Sequence, residues 1–587
     1  MNETVSEGMD NRPLPNPDTA SGTAKSLRRW IRLLDGIIFL VLLGLAWSVR
    51  APFARGDLWL DESDYALAAM HGVPANRHDT PIAGDPEKIL RLRHYHPPLV
   101  TYVMRASTVM GVKDRNLRLP FLLAGSLSVG LVYLCGLVLF AAPGGMKDED
   151  TLQRALLAPQ RPAALLCAIM VVFSATHIRA SAHALPWAFI TMLLLVMLWS
   201  MLMSLRTLRP KWLIAAWLGI GLMFSTSEYF FPSILALGLC APVVLLELYK
   251  SGTYRKELAV TLVVGAALAL GIAIALWPAG IMGGAWKMLQ HYMKMANDPW
   301  PVKIRGVLYE RAPKWAYLYW YWFNFKAFTL CTGAGALTVL VLSVLRKVNA
   351  RGVVLLVMTG VILLTAHRSH IIGPEYLSHA IPFLSLLAGF FFYTLLQFNR
   401  PVGCAVCILV IGYFSIKHSA ANMPGMDERV RVARWPYAIQ YLASQWRPSD
   451  RMLAPAGGGG ARWYLIYEGG IPAKDWQVQA LPDGPTGSSR SSSMNRAKLL
   501  RDILQGVYRY VVVGTAFSDR KPMDPFIRQI LNNKQAPWQL VWQSQEYGEG
   551  ESRLIIYELP RGIWHGHPLP VPHDVKWLME STLNDKM

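Results

Sequence analysis

Apolar runs of about 20 residues recur along the chain from residue 33 to residue 417 and then stop. That length suits an α-helix crossing a hydrocarbon core of roughly 30 Å, where every backbone N–H and C=O must be satisfied within the segment. A polytopic α-helical membrane architecture follows. Candidate spans fall at residues 33–49, 119–140, 162–177, 185–205, 212–227, 230–248, 258–279, 316–345, 352–366, 378–397 and 402–417, about eleven spans. Composition agrees, with 53% hydrophobic and only 16% charged residues against roughly 25% charged in soluble domains.

Charge sets the expected orientation. The net charge of +20 sits mostly in short loops, so it reads as topology signal and lipid-bilayer contact, with no nucleic-acid partner. "LRTLRPK", "YKSGTYRK", "RKVNAR" and "FNRP" share one side; "THIRASAH", "STSEYF" and "HRSHIIGPEY" share the other and carry fewer positive charges. Basic loops stay in the cytoplasm. The assignment is coherent only if "PPLVTYVMRASTVMGV", residues 97–112, does not cross. At 1.5 Å per residue this segment is about 24 Å long and carries Arg105 near its middle, so it is expected to lie in the outer interface, entered through Pro97 and Pro98.

The expected organisation is a disordered cytoplasmic N-terminus at 1–24, a transmembrane domain at 25–418 and an extracytoplasmic (periplasmic) domain at 419–587. The first span reads as an uncleaved anchor. The tail alternates helical stretches ("ARWPYAIQYLASQW", "NRAKLLRDILQGV", "DPFIRQILNN") with strand-like ones ("RWYLIYEG", "YRYVVVGTAF", "WQLVWQS", "SRLIIYEL"), which predicts a C-terminal α/β soluble domain. "DGPTGSSRSSS" reads as a mobile loop and "HGHPLPVPH" as a surface tail. The six cysteines all lie in apolar runs, so disulfides are not expected and Cys404-x-x-Cys407 reads as helix packing.

The chemistry-bearing residues gather in the loops on the expected outer face, chiefly 50–118. "DLWLDESDYALAAM" carries Asp57, Asp61, Glu62 and Asp64 directly after the first span. A carboxylate there can take a proton from an attacking hydroxyl, bind a sugar hydroxyl, or cap the helix that follows; the residues leave all three open. "RLRHYHPPL" supplies Arg91, Arg93, His94 and His96, suited to a phosphate or to anionic headgroups. Two further loops add Arg179 with His177 and His183, and Arg368 with His370, Glu375, Tyr376 and His379. Arginine and histidine from three loops on one face would stabilise a departing phosphate.

"DESDYALAA", "HYHPPLVTYV", "RLPFLLAGSLSVGLVY", "ATHIRASAHALPWAF" and "GPEYLSHAIPF", in this order, resemble the GT-C superfamily of polytopic glycosyltransferases, in particular the branch of protein O-mannosyltransferases and lipid A aminoarabinose transferases. The resemblance implies a GT-C fold in the inner (plasma) membrane. It implies transfer of a sugar, with inversion, from a polyprenyl-phosphate donor to a lipid, glycan or protein acceptor on the extracytoplasmic face. Asp61 then matches the base or acceptor-binding Asp, and Glu62 beside it would support it in catalysis or bind sugar. His96 matches a donor-phosphate position; Arg179 and Arg368 would add charge there, and Asp57, His94, Glu375 and Tyr376 would contact substrate. Glu375 stands where relatives often carry Arg, so Arg368 or His370 would take that role. No cofactor and no metal are implied for this branch. A transporter or a non-catalytic scaffold for lipid-linked sugars is the competing reading.

Overall fold

The computed structural model describes residues 17–56, 58, 60–71, 97–141, 158–250, 255–295, 302–304, 307–310, 313, 326–345, 350–368, 377–417, 435–448, 450–455, 463–464, 467, 469–471, 476–479, 502–503, 506–514, 531, 538–543 and 554–560. Its helices are α1 Pro17–Arg50, α2 Leu60–His71, α3 Leu99–Ser107, α4 Asp114–Leu139, α5 Gln160–Val172, α6 Ala175–Ala182, α7 Trp187–Thr207 and α8 Leu213–Phe224. They continue as α9 Phe230–Lys250, α10 Arg255–Leu276, α11 Ala285–Met295, α12 Lys326–Val344, α13 Ala350–Arg368, α14 Ala380–Phe398, α15 Arg400–Lys417 and α16 Trp435–Gln445.

A helix lies at each predicted apolar position. By length and composition, six of the described helices can cross a membrane; α5 and α6 form a pair bent by 61° that counts as one more if it is a single span. α8, α12, α13 and α15 are apolar but shorter. α3 has nine residues, about 13 Å, and is too short to cross.

Two expectations change here. α1 begins at Pro17, inside the segment 1–24 expected to be disordered. Proline is preorganised for a first helical turn, and a long apolar helix downstream supplies the nucleus on which that turn extends. The predicted outer loop around residues 178–184 is largely helical: α5 ends at Val172, and Ser174 restarts the chain as α6 by accepting the His177 N–H at 3.4 Å.

α4 is the hub of the bundle. It packs on α1, α5, α6 and α7; α14 covers α5 and carries α12, α13 and α15. Lipid offers no hydrophobic drive for helix association, so small residues must admit close backbones. At Gly136 a β-carbon would lie 2.8 Å from Ala164 Cβ and 2.9 Å from Ala164 Cα, so α4 and α5 meet at a contact only glycine permits.

A short antiparallel hairpin joins β1 Val302–Ile304 to β2 Val307–Tyr309. Past α16 lies a mixed five-stranded sheet ordered β4-β3-β5-β7-β6, built from β3 Met452–Pro455, β4 Trp476–Gln479, β5 Tyr510–Gly514, β6 Gln539–Gln543 and β7 Leu554–Glu558. β3 runs parallel to β4 and β5, while β7 runs antiparallel to β5 and β6. Three of the four predicted strand segments are thus in the sheet. In the fourth, "RWYLIYEG", the described residues Trp463, Tyr464 and Tyr467 are helical in backbone, and Trp463 and Tyr464 are fully buried. Docking of these aromatic rings overrides their strand propensity.

Candidate functional site

The site is built at one end of the bundle, where α1 ends and α4 and α7 begin. Here α2 carries Glu62, which is completely buried. Arg118, one turn into α4, grips this carboxylate with two parallel bonds, Nε to Oε1 at 2.8 Å and Nη2 to Oε2 at 2.7 Å. The same guanidinium donates through Nη1 to the carbonyls of Ala54 at 3.2 Å and Gly56 at 2.5 Å. From the α6–α7 loop, the Ala184 N–H donates to Oε1 at 2.5 Å and His183 Nδ1 lies 3.2 Å from Oε2. The Glu62–Arg118 pair therefore ties together the loop after α1, α2, α4 and the loop before α7.

Burial opposes ionisation of Glu62, but Arg118 and His183 outweigh it and hold the carboxyl well below the ordinary carboxylate range. Glu62 is ionised, with both oxygens engaged inside the fold. A charged pair this deep gains little stability over an apolar pair, whereas breaking it strands a charge. Its main effect is to fix position.

Asp61 is the residue before Glu62 on α2. Because α2 starts at Leu60, Asp61 lies in the first turn and not at the N-cap, so the capping alternative falls; an acidic residue there still meets the positive end of the helix dipole. The Asp61 side chain, all of Asp57, and His94, His96, Glu375 and Tyr376 lie outside the described residues. Arg179 is half-buried in the last turn of α6; Arg368 ends α13, its side chain likewise undescribed.

Around this clamp sit two further polar groups. Arg50, fully buried at the end of α1, donates to the Ala46 carbonyl at 3.0 Å and the Val171 carbonyl at 3.2 Å, capping the C-termini of α1 and α5. Its Nη2 is 2.8 Å from His177 Nδ1. Arginine can only donate, so the His177 ring proton sits on Nε2. His379, just before α14, faces Thr191 Oγ1 through Nδ1 at 3.0 Å. Neither His177 Nε2 nor His379 Nε2 has a hydrogen-bond partner among the described residues. The first N–H of α3 donates to the Ser225 carbonyl at 2.8 Å, which pins the start of that helix, two residues after the Pro97 junction, to the loop after α8.

Of the predicted residues, the described part of the structure brings Glu62 together with His183 and leaves Arg179 on the neighbouring α6. Arg118 and Arg50 were missed by sequence reasoning. Each is an arginine at the edge of an apolar helix, and an ionisable residue in such a helix needs a buried partner. That signal was legible in "DRNLRLPFLL" and "AWSVRAPF".

No protein family matches the sequence, and no curated protein does. Among solved structures, the chain is similar to ArnT from Cupriavidus metallidurans bound to undecaprenyl phosphate, with a TM-score of 0.52 and 12% identity over 90% of this chain and 98% of that one. It is also similar to the archaeal oligosaccharyltransferase AglB from Archaeoglobus fulgidus in complex with an inhibitory peptide and a dolichol-phosphate, with a TM-score of 0.51 and 12% identity over 82% of this chain and 70% of that one. At this identity the likeness is one of fold. The chain has the fold of the GT-C membrane glycosyltransferases, as its motif order implied.

Proposed function

We propose that the protein transfers a sugar from a polyprenyl-phosphate donor to an acceptor on the extracytoplasmic face, with inversion at the anomeric carbon. The observation that carries this reading is the Glu62–Arg118–His183 clamp, which fixes the backbone of the first turn of α2, and with it Asp61, at the end of the bundle where Arg50, His177 and His379 converge. Asp61 accepts the proton of the attacking hydroxyl or orients it. His96, close before the pinned start of α3, and Arg179 neutralise the departing polyprenyl phosphate, with Arg368 as a third cation. Asp57, His94, Glu375 and Tyr376 contact the sugar or the acceptor. Support also comes from the shared fold, since both similar structures were solved with a polyprenyl-type lipid phosphate.

On this reading the protein sits in the inner membrane, with residues 25–418 as its catalytic domain and residues 419–587 on the extracytoplasmic side. The test is a donor assay: purified protein with a panel of radiolabelled polyprenyl-phosphate sugars and crude membrane acceptors, scored for free polyprenyl phosphate. Release that disappears in Asp61→Ala supports the reading and names the sugar. Absence of release with every donor removes it and leaves transport or scaffolding.

A further inference from the structure

Residues 462–469 alternate like a strand in sequence, yet the described Trp463 and Tyr464 do something else, which links the soluble domain to the proposed site. Trp463 and Tyr464 are fully buried. Trp463 Nε1 donates to Asp114 Oδ1 at 3.1 Å, and the Tyr464 hydroxyl donates a short hydrogen bond to Asp114 Oδ2. With its proton committed there, the same hydroxyl accepts the Leu58 N–H at 2.8 Å, across 406 positions of sequence. Its ring stacks on Trp435 of α16, centroids 6.1 Å apart and planes 5° from parallel, so the phenol is aimed from the soluble domain.

Both contacts end on the acidic segment or its support. Leu58 lies between Asp57 and the start of α2. Asp114 opens α4, one turn before Arg118, which grips Glu62. Two linkages therefore run from the soluble domain into residues 57–62, one through the Leu58 amide and one through the first turn of α4. A loop held at its own backbone by a buried donor or acceptor keeps its geometry, because releasing it leaves both partners unsatisfied.

We infer that Tyr464 is a positioning residue of the site proposed above: its hydroxyl holds the Leu58 backbone and so fixes the approach to α2, whose first turn carries Asp61. The soluble domain thereby forms one wall of the site.

The experiment compares full-length wild type, Tyr464→Phe and Trp463→Phe in nanodiscs, by amide hydrogen exchange across residues 57–62 and by transfer kinetics. Tyr464→Phe keeps the stacked ring and removes only the hydroxyl. Exchange at the Leu58 amide rises roughly tenfold, the factor expected for one net hydrogen bond. kcat falls roughly tenfold while the donor KM moves less than about twofold, because the residues proposed to hold the donor phosphate, His96, Arg179 and Arg368, lie outside the segment that Tyr464 holds. Trp463→Phe, which spares the Leu58 bond, leaves that amide within about twofold of wild type. Unchanged exchange in Tyr464→Phe overturns the inference, and so does equal acceleration in Trp463→Phe, which would mean general loosening. Faster exchange with an unchanged kcat overturns it too. The exchange arm reads the contact without any donor, so a failure of the glycosyltransferase reading shows separately, as wild type that transfers nothing.

Discussion

The two ends of the helical bundle solve the same problem, holding charge in an apolar fold, in different ways. At the end opposite the site, Asp35 of α1 accepts from Tyr133 at 2.9 Å and from Arg161 at 3.1 and 3.3 Å, and Arg351 donates to the carbonyl of Val138 at 2.5 Å and of Ala141 at 2.8 Å. These groups join α1, α4, α5 and α13 to one another and satisfy ionic and backbone groups locally. At the site end, about 22 Å away by 15 residues along α1 from Asp35 to Arg50, the network is larger, crosses into loops, and leaves Arg50 Nε, His177 Nε2, His379 Nε2 and Ser225 Oγ without partners among the described residues. The Ser126 and Ser204 hydroxyls are also without partners among the described residues, away from the site, so the contrast lies in the bundle's unmet arginine and histidine nitrogens. Buried polar groups are normally satisfied, and these, gathered at one end, mark where the fold gives up stability for another purpose.

Substitutions that separate the two ends test this contrast. Arg118→Met strands a buried carboxylate and frees the Ala54 and Gly56 carbonyls; a loss of about 3–5 kcal/mol in detergent unfolding, with no measurable transfer, is expected. Retention of wild-type melting in that variant would break the comparison at its strongest point. Acid gives the next largest effect. Because the folded-state carboxyl of Glu62 lies below the ordinary range, the stability it contributes is complete above the unfolded value of about 4.3 and is lost as pH falls below that value towards the folded one. Melting temperature should therefore drop more steeply between about pH 5 and pH 3 in wild type than in Glu62→Gln, read by a pH series of thermal scans.

At the opposite end, Asp35→Asn weakens the contacts to Arg161 and Tyr133 and is expected to cost about 1–3 kcal/mol while leaving kcat within about twofold. A tenfold kcat loss there would show that the two ends are coupled. The smallest change is Glu247→Gln, which removes a largely exposed pair with Lys250 on the last turn of α9; stability should move by less than about 0.5 kcal/mol in the same unfolding assay.

The sequence was most readable where physics is local. Spans at 119–140 and 185–205 reappear as α4 and α7 because lipid forces any such run to satisfy its own backbone. The segment after Pro97 and Pro98, which the loop charges placed in the outer interface, forms a nine-residue helix. The site was readable as a neighbourhood: the acid-rich stretch after the first span and the histidines of "ATHIRASAH" come to the same end of the bundle. Which carboxylate faces inward was not readable. Asp61 and Glu62 are adjacent and chemically alike, and only the rotation of α2 against α4, set by Arg118 56 positions away, puts Glu62 in the clamp. "RWYLIYEG" misled for a related reason, since its alternation fits a sheet but its aromatic rings dock against Asp114 and Leu58.

The sequence by itself determined the polytopic helical architecture and the order of the motifs, because hydrophobic length acts segment by segment. The tertiary structure alone decided that Glu62 is a buried strut, that Arg118 and Arg50 are its counterparts in holding the site end together, and that Tyr464 of the soluble domain reaches Leu58. Those facts depend on pairs of groups far apart in the chain, and a buried charge or hydroxyl takes its role from whichever partner the packing delivers.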